Sequence, residues 1–276
     1  MRDSSRSLKM EQHEAAVSQI AASVRALYVR REPFCIYHGP TNSTRPIKKD
    51  CVVDISALSN VVKIDPACKV ATVEPKVSMD KLVEATLEYG LIPPVVMEFP
   101  GITVGGGYAG SAGERSSFRY GYSDQTVNSV EMVLAIGIVT ASRNERPELF
   151  KAAGGALGTL GITTLLELQL LPAKKFVKTT YYRSNNVHDT IKVIRQETEN
   201  TSNDYVDGII FSKSHGVVIT GQLTDETPGS IKPQTFSKPW DPWLYLHVKD
   251  KTDTESPVID YIPLAEYLYR YDRGGF

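Results

Sequence analysis

The segment Pro100–Gly113, PGITVGGGYAGSAG, constrains the fold more than any other stretch, because six of its fourteen residues are glycine. Glycine at this density allows left-handed backbone conformations and leaves N–H groups uncovered by side chains. Successive uncovered N–H groups form a concave site that suits an anion such as a pyrophosphate. A tight loop packed against another backbone is the alternative, but the hydroxyls of Thr103 and Ser111 between the glycines favour a ligand.

The same segment contains the pattern G-x-G-x-x-G at Gly105, Gly107 and Gly110, which is the fingerprint of dinucleotide-binding Rossmann domains. That fingerprint requires a strand directly before it and a helix directly after it. Here Pro100 interrupts the approach, and Gly113 is unfavourable for a helix behind the pattern. The sequence therefore argues against a Rossmann domain.

Two other loops are rich in glycine or small polar residues. Residues 37–45, YHGPTNSTR, lie between a predicted helix and a predicted strand, and can hold phosphate through backbone N–H groups, hydroxyls and Arg45. Residues 154–161, GGALGTLG, permit close approach to a flat ring. Taken alone, the first loop is more typical of a plain turn, and the second is also compatible with a plain turn.

The composition is that of an ordinary folded protein. The protein has 276 residues, 41% of them hydrophobic and 23% charged, which excludes a disordered polypeptide and allows a sizeable core. Its net charge is 31 − 32 = −1, and no run of Lys or Arg exceeds a pair. The sequence thus offers no electrostatic basis for nucleic-acid binding.

Residues that hold metals or carry out hydrolysis are not grouped in the sequence. The three cysteines, Cys35, Cys51 and Cys68, are odd in number and widely spread, which favours reduced thiols over a zinc site or a disulfide framework. The five histidines lack metal spacing, and neither G-x-S-x-G nor a P-loop occurs. No signal peptide or membrane-length apolar run is visible, so we expect a cytoplasmic protein without a metal.

Hydrophobic periodicity predicts a mixture of helices and short strands. Apolar residues recur at helical spacing over 17–28, and the pattern stops before Pro33. The other predicted helices cover 78–89, a short segment from Pro147, and 187–194; the predicted strands cover 51–55, 70–74, 127–135, 138–141, 166–170, 176–183, 205–211 and 217–220.

In this order, the three loops resemble those of the flavin-binding domain of the vanillyl-alcohol oxidase/p-cresol methylhydroxylase (PCMH) superfamily. Residues 38–45 resemble its first pyrophosphate loop, and residues 103–113 with Tyr120-Gly121 resemble its central loop. Residues 157–162, LGTLGI, resemble its third loop. The resemblance covers about residues 10 to 175, and three ordered motifs make it specific.

Within that superfamily the sequence is most similar to the Δ24-sterol reductase branch. The similarity rests on HGPTNSTR at 38–45, LLPAKKFVK at 170–178 and YIPL at 261–264. It implies an α+β fold, with a two-subdomain PCMH-type FAD-binding domain over residues 1–174 and a partial α+β substrate (cap) domain over 175–276. It also implies non-covalent FAD, because Pro40-Thr41 stand where other members have the histidine that tethers the flavin.

The resemblance implies an FAD-dependent oxidoreductase that uses NADPH to reduce a C=C bond in the side chain of a sterol. A nicotinamide hydride passes to flavin N5 and then to one alkene carbon, while an acid that the sequence does not identify protonates the other. The alternatives are an FAD-linked oxidase or reductase of a non-sterol metabolite, and a truncated flavoprotein without catalytic activity. The resemblance to sterol reductases implies a sterol or other apolar small molecule as the ligand. Because the branch is membrane-associated, peripheral contact with the cytosol-facing membrane surface is an alternative to a cytoplasmic location.

The cofactor-binding residues follow from the same resemblance. Arg45 is expected to neutralise the pyrophosphate, and Ser117 or Tyr120 to hydrogen-bond the cofactor; a buried aromatic is the alternative role for Tyr120. The full set is Gly39, Thr41, Asn42, Ser43, Arg45, Thr103, Val104, Gly105, Gly106, Gly107, Tyr108, Ala109, Gly110, Ser111, Ala112, Gly113, Glu114, Ser117, Tyr120 and Ile162.

Overall fold

The computed structural model describes residues 2–38, 51–229, 231–253 and 257–271. The helices of these segments are α1 (Arg2–Arg30), α2 (Met79–Leu87), α3 (Val104–Ala109), α4 (Ser117–Tyr120), α5 (Pro147–Ala153), α6 (Val187–Glu199), α7 (Leu244–Lys251) and α8 (Leu264–Leu268), with a 3₁₀ turn at Ser123–Thr126. The strands are β1 (Cys35–Tyr37), β2 (Val52–Asp54), β3 (Val61–Asp65), β4 (Val70–Val73), β5 (Leu91–Ile92), β6 (Val127–Leu134), β7 (Gly137–Ser142), β8 (Ile162–Gln169), β9 (Leu171–Pro172), β10 (Phe176–Ser184), β11 (Tyr205–Ser212), β12 (His215–Thr224) and β13 (Val258–Pro263).

The protein divides into two compact units. The first unit comprises the described parts of residues 1–94, 101–112 and 122–171, and the second those of 95–100, 113–121 and 172–276. Helices combined with antiparallel sheets make the fold α+β, as expected. Nothing in the sequence indicates that 95–100 and 113–121 leave the first unit. The division at residue 174 and the cap domain stay predictions.

The first unit is built on a five-stranded sheet with the order β3-β4-β8-β6-β7, in which every neighbouring pair is antiparallel. Strand β8 alternates buried and half-buried residues along its whole length, so the predicted pattern at Leu166 and Leu168 is confirmed. Strands β1 and β2 form a separate parallel pair. The antiparallel main sheet agrees with the exclusion of a Rossmann domain, whose sheet is parallel.

Helix α1 covers the first unit with one apolar face. Val17, Ile20, Val24 and Leu27 lie on that face and are buried, and they pack with residues of β2, β6 and β8. The helix begins at Arg2, well before the predicted start at residue 17. Its polar first half is held by a hydrogen bond from Lys9 Nζ to the Val61 carbonyl, 3.0 Å long, a tertiary contact that hydrophobic periodicity does not reveal.

A buried charged network fixes α1 to the sheet. The ring of His13 contacts Glu74 Oε1 through Nδ1 at 2.8 Å and Glu131 Oε1 through Nε2 at 3.1 Å. Thr164 Oγ1 donates to Glu131 at 2.6 Å, and the Asn60 N–H donates to Glu74 at 2.6 Å. Burial opposes the charge on His13, but hydrogen bonds and negative charge from Glu131 and Glu74 offset it and raise its pKa to about 9.

The second unit is built on an antiparallel sheet with the order β11-β12-β10-β13. The central strand β10 buries Val177, Thr179 and Tyr181 in alternation, which is the pattern of a strand with one covered face. Asn186 is the N-cap of helix α6: its side chain accepts a hydrogen bond from the Asp189 N–H and so satisfies a free donor of the first turn. The predicted strand pair over 205–211 and 217–220 is confirmed as β11 and β12.

We expect His13 to make the stability of the protein depend on alkaline pH. Its pKa is about 9 in the folded protein and 6.5 ordinarily, so its contribution is fully present below pH 6.5 and is lost as the pH rises through 9. At about 1.4 kcal/mol per pKa unit, the loss is about 3 kcal/mol. Urea unfolding of the wild type and of His13→Gln between pH 6 and pH 10 should show the gap between them closing. His188→Gln, at an exposed position, is the control, and a constant gap would contradict the prediction.

Candidate functional site

The glycine-rich segment forms a short helix, α3, and not a loop of left-handed glycines. Among its described glycines none has a positive φ; Ser111 does, at 46°. The N–H groups are used within the protein: Gly105 donates to the Pro75 carbonyl at 2.8 Å, Gly107 to that of Thr103 at 2.9 Å, and Gly110 to that of Gly106 at 3.0 Å. The expectation of uncovered N–H groups was therefore wrong here, because helical and tertiary hydrogen bonds occupy them.

The glycines of α3 serve close approach. A Cβ on Gly105 would lie 2.5 Å from Pro75 Cβ, and one on Gly106 would lie 3.1 Å from Thr103 Oγ1. That oxygen accepts the Gly106 N–H at 3.1 Å and so begins the helix as its N-cap. The Thr103 hydroxyl can still donate its own proton to a ligand.

The third loop supplies the left-handed conformations that the central loop lacks. Gly155 and Gly158 have φ of 71° and 75°, and Leu157 between them has φ of 54°. The N–H of Gly155 donates to the Tyr108 carbonyl at 3.1 Å, and that of Leu157 donates to the Ala109 carbonyl at 3.0 Å. The structure thus brings the central and third loops together along α3.

These two loops wall a cleft of about 1770 Å³ within the first unit. Other walls come from the end of α1, the segment 33–38 and the facing parts of β6 and β8. The predicted site residues that line the cleft are Thr103, Gly105, Gly106, Ala109, Gly110 and Ile162. The volume exceeds the ~300–1,000 Å³ of an ordinary small-molecule pocket, so the cleft suits an extended ligand.

Several predicted residues of the central loop support the cleft without lining it. Val104, Gly107 and Tyr108 are buried inside the first unit. Burial and the negative charge of Asp124 raise the pKa of Tyr108 to about 12, so its phenol stays neutral. The N–H of Ala112 donates to the Gly107 carbonyl at 3.0 Å. Ser111 packs closely on the third loop, since a Cβ on Gly155 would lie 2.6 Å from Ser111 Oγ.

Gly113, Glu114, Ser117 and Tyr120 belong to the second unit. Glu114 Oε1 accepts the Glu98 N–H at 2.9 Å, and the Glu114 N–H donates to Ser117 Oγ at 2.8 Å. Burial raises the pKa of Glu114 against the opposing charge of Arg115. These contacts make the stretch after α3 part of a packed cluster, and a cofactor contact for it stays a prediction.

Sequence reasoning missed Arg115, which organises that cluster. Its guanidinium is buried and lies 2.8 Å from Glu98 Oε2 and 3.3 Å from Asp207 Oδ2. Arg270, also buried, donates to the same Asp207 oxygen at 2.6 Å. An arginine between a glycine-rich segment and two serines carries no periodic signal, so the sequence offers nothing that would have identified it.

His38 is the most informative cleft residue that was left out of the predicted set. Its Nδ1 is buried and makes no hydrogen bond to any described residue. Burial, together with the positive charge of Lys76, lowers the pKa of His38, so the ring is neutral at pH 7. The polarity of residues 37–45 was the available signal, because His38 begins that motif. The predicted Gly39, Thr41, Asn42, Ser43 and Arg45 lie outside the described residues.

The lining of the cleft fits a flat ring joined to an anion. Apolar side chains such as Ile36, Met132 and Leu160 can cover a ring, and Gly158 lets the third loop approach because a Cβ there would lie 2.9 Å from Ile36 Cδ1. Arg31 and Lys76 bring positive charge to the same cleft. Nowhere among the described residues do three or more His, Cys, Asp or Glu gather as a metal site. No described helix is long and apolar enough to span a bilayer.

Comparison with known proteins shows which domain and which enzymes the chain is similar to. Residues 14–142 match the FAD binding domain family. This stretch is therefore similar to PCMH-type FAD binding domains, and the chain is also similar to Δ24-sterol reductases.

Its relatives include the Δ24-sterol reductase of Homo sapiens, which is 31% identical over 220 residues, or 79% of this chain and 42% of that protein. The Δ24-sterol reductase of Pisum sativum is 30% identical over 236 residues, or 80% of this chain and 41% of that protein. Cytokinin dehydrogenase 9 of Oryza sativa subsp. japonica is 27% identical over 180 residues, or 60% of this chain and 34% of that protein. The chain thus spans about two fifths of the length of the curated sterol reductases it matches.

We expect Gly105→Ala to destabilise the first unit. The added Cβ would overlap Pro75, and both atoms sit on backbone that hydrogen bonds hold in place, so the cost should be about 1–3 kcal/mol. Urea unfolding measures it. Gly229→Ala is the control, since nothing lies within 4 Å of a Cβ there. Equal stability of the two variants would show that the α3–Pro75 contact is not tight.

Arg115→Met should destabilise the second unit by about 1–3 kcal/mol, because it removes a buried guanidinium and leaves the half-buried Glu98 carboxylate without its arginine, while Asp207 keeps Arg270. Arg119→Met is the matched control on the neighbouring helix. Arg119 is 27% exposed and its ion pair with Asp204 should contribute at most about 1 kcal/mol. Chemical unfolding measures the free energy of unfolding of both variants. If Arg115→Met lowered it no more than Arg119→Met does, Arg115 would not organise this cluster.

Proposed function

We propose that the cleft of the first unit binds FAD without a covalent bond. The observation that carries this proposal is that the central and third loops and His38, whose Nδ1 is buried, line one extended cleft. Residues 14–142, which match the FAD binding domain family, contribute most of this lining. When bound, FAD supplies two-electron hydride chemistry. The protein's own part is to bind, orient and shield it.

The described residues divide these tasks by chemistry. Thr103 presents a hydroxyl proton, and Arg31 and Lys76 present positive charge, which together suit the pyrophosphate. The neutral ring of His38 can donate or accept one hydrogen bond at Nδ1, depending on its tautomer. Ile36, Met132 and Leu160 exclude water from an apolar ring. Ile162, predicted as a contact, lies on the same wall.

The proposed reaction is the reduction, with NADPH, of a C=C bond in a sterol side chain. It is supported by the human and pea relatives, which are named Δ24-sterol reductases. The second candidate is an FAD-linked oxidase or reductase of a non-sterol metabolite, supported by the similarity to a cytokinin dehydrogenase. A flavoprotein without catalytic activity is the third. A cytoplasmic location and peripheral contact with the cytosol-facing membrane surface stay predictions.

FAD binding is tested first and separately from catalysis. The purified protein should be yellow, and apoprotein titrated with FAD should quench flavin fluorescence. Ala109→Glu places a carboxylate in the cleft and should weaken FAD binding about tenfold or more, since like charges a few ångströms apart repel by about 1–4 kcal/mol. Ala109→Gln has the same size without the charge and should bind several-fold more tightly than Ala109→Glu. A colourless protein that takes up no FAD would refute the site.

Catalysis is then tested on the FAD-loaded protein. Anaerobic NADPH should bleach the flavin spectrum, and a Δ24-unsaturated sterol should restore it with formation of the saturated product. Restoration by an unrelated alkene or amine substrate, and not by the sterol, would favour the second candidate. Bound FAD that NADPH leaves oxidised would favour the non-catalytic flavoprotein.

A further inference from the structure

The structure places two of the three cysteines next to each other at the edge of the cleft. Cys35 is the first residue of β1, and Cys51 immediately precedes β2, its parallel partner. The Cys35 N–H donates to the Cys51 carbonyl at 3.0 Å. Cys35 pairs with Val52 in the parallel register, so Cys51 is offset from it by one residue. Adjacent strands lie about 4.8 Å apart and rise about 3.3 Å per residue, which puts Cα atoms with this offset roughly 6 Å apart, within the ~4.4–6.8 Å range of disulfides.

Both thiols are accessible, and neither is in the core. Side chains alternate between the two faces of β1: Ile36 packs against the core beneath α1, and the neighbouring Cys35 is exposed. Cys51 would share the core face of Val53 if the strand continued in extended form, because side chains two residues apart share a face. Its φ of 56° turns it out of that pattern, and its side chain is exposed.

We propose that Cys35 and Cys51 form a reversible disulfide that joins β1 to β2 at the edge of the cleft, with a low-molecular-weight disulfide such as oxidised glutathione as the oxidant. One protein thiolate attacks the glutathione disulfide and releases one glutathione thiol. The second protein thiol then displaces the other glutathione and closes the Sγ–Sγ bond. Two protein thiols and one glutathione disulfide thus become one protein disulfide and two glutathione thiols, and two electrons pass to the oxidant.

The bond would change both the cleft edge and the unfolded state. Cys35 lines the cleft, so oxidation fixes one of its walls covalently. The cross-link also closes a loop of 51 − 35 − 1 = 15 residues, 36–50. Closing a loop of this size in the unfolded protein should raise the Tm by about 5 °C or more.

The third cysteine provides a matched control. Cys68 is free and exposed like the pair, but it lies on the turn between β3 and β4 and not beside β1 or β2. After incubation with oxidised glutathione, peptide mapping of the denatured wild type should find Cys35 linked to Cys51. Cys68 should be found either as a free thiol or with glutathione attached. Cys68→Ser should lose both remaining thiols without a glutathione adduct and gain the Tm shift, which dithiothreitol reverses.

Cys35→Ser and Cys51→Ser should instead carry glutathione on the remaining cysteine of the pair and show no such shift. Glutathione on both Cys35 and Cys51 of the wild type, or a linkage that involves Cys68, would overturn the proposal. Mapping of the wild type decides the question even if a serine variant fails to fold. None of these measurements requires FAD, so they stand apart from the proposed function.

Discussion

The geometry of the cleft depends on the contact between helix α3 and Pro75. Gly105 has no Cβ, and its N–H bonds directly to the Pro75 carbonyl, so the helix lies against the backbone after β4. Three glycines in a six-residue helix are intrinsically unfavourable by about 1 kcal/mol each relative to alanine. Tertiary hydrogen bonds offset this cost. The Val104 N–H donates to the Val77 carbonyl at 2.8 Å, and Ser123 Oγ donates to the Gly107 carbonyl at 2.7 Å.

Once α3 is held, it determines where the third loop lies. The carbonyls of Tyr108 and Ala109, near the end of α3, receive the N–H groups of Gly155 and Leu157. Leu157 adopts a left-handed conformation that costs a non-glycine residue about 1–2 kcal/mol, and the hydrogen bond to Ala109 helps to offset it. Glycine at 155 and 158 avoids clashes with Ser111 and Ile36. The two walls of the cleft are therefore positioned by one set of backbone hydrogen bonds.

The sequence predicted the elements whose burial is periodic and missed those held by isolated polar contacts. The apolar face of α1 and the alternation of β8 were readable, because a repeated side-chain pattern follows directly from helix or strand geometry. The polar first half of α1, strand β3 and strand β13 were not predicted. His13 and Arg115 are single residues whose partners lie at Glu131 and Asp207, more than ninety positions away, and no local pattern reports such a pairing.

For the candidate site, the sequence predicted which loops carry it but not how they would meet an anion. The hypothesis rested on free N–H groups of the central glycines, and the structure uses those of Gly105, Gly107 and Gly110 internally. Most backbone N–H groups of α3 are thus already hydrogen-bonded within the protein, so an anion in this cleft would have to interact with side chains. Thr103, Arg31 and Lys76 have that chemistry and come from three separate segments. An argument from glycine content alone therefore indicates which loops line the candidate cleft, but not which side chains bring polar or positively charged groups to it.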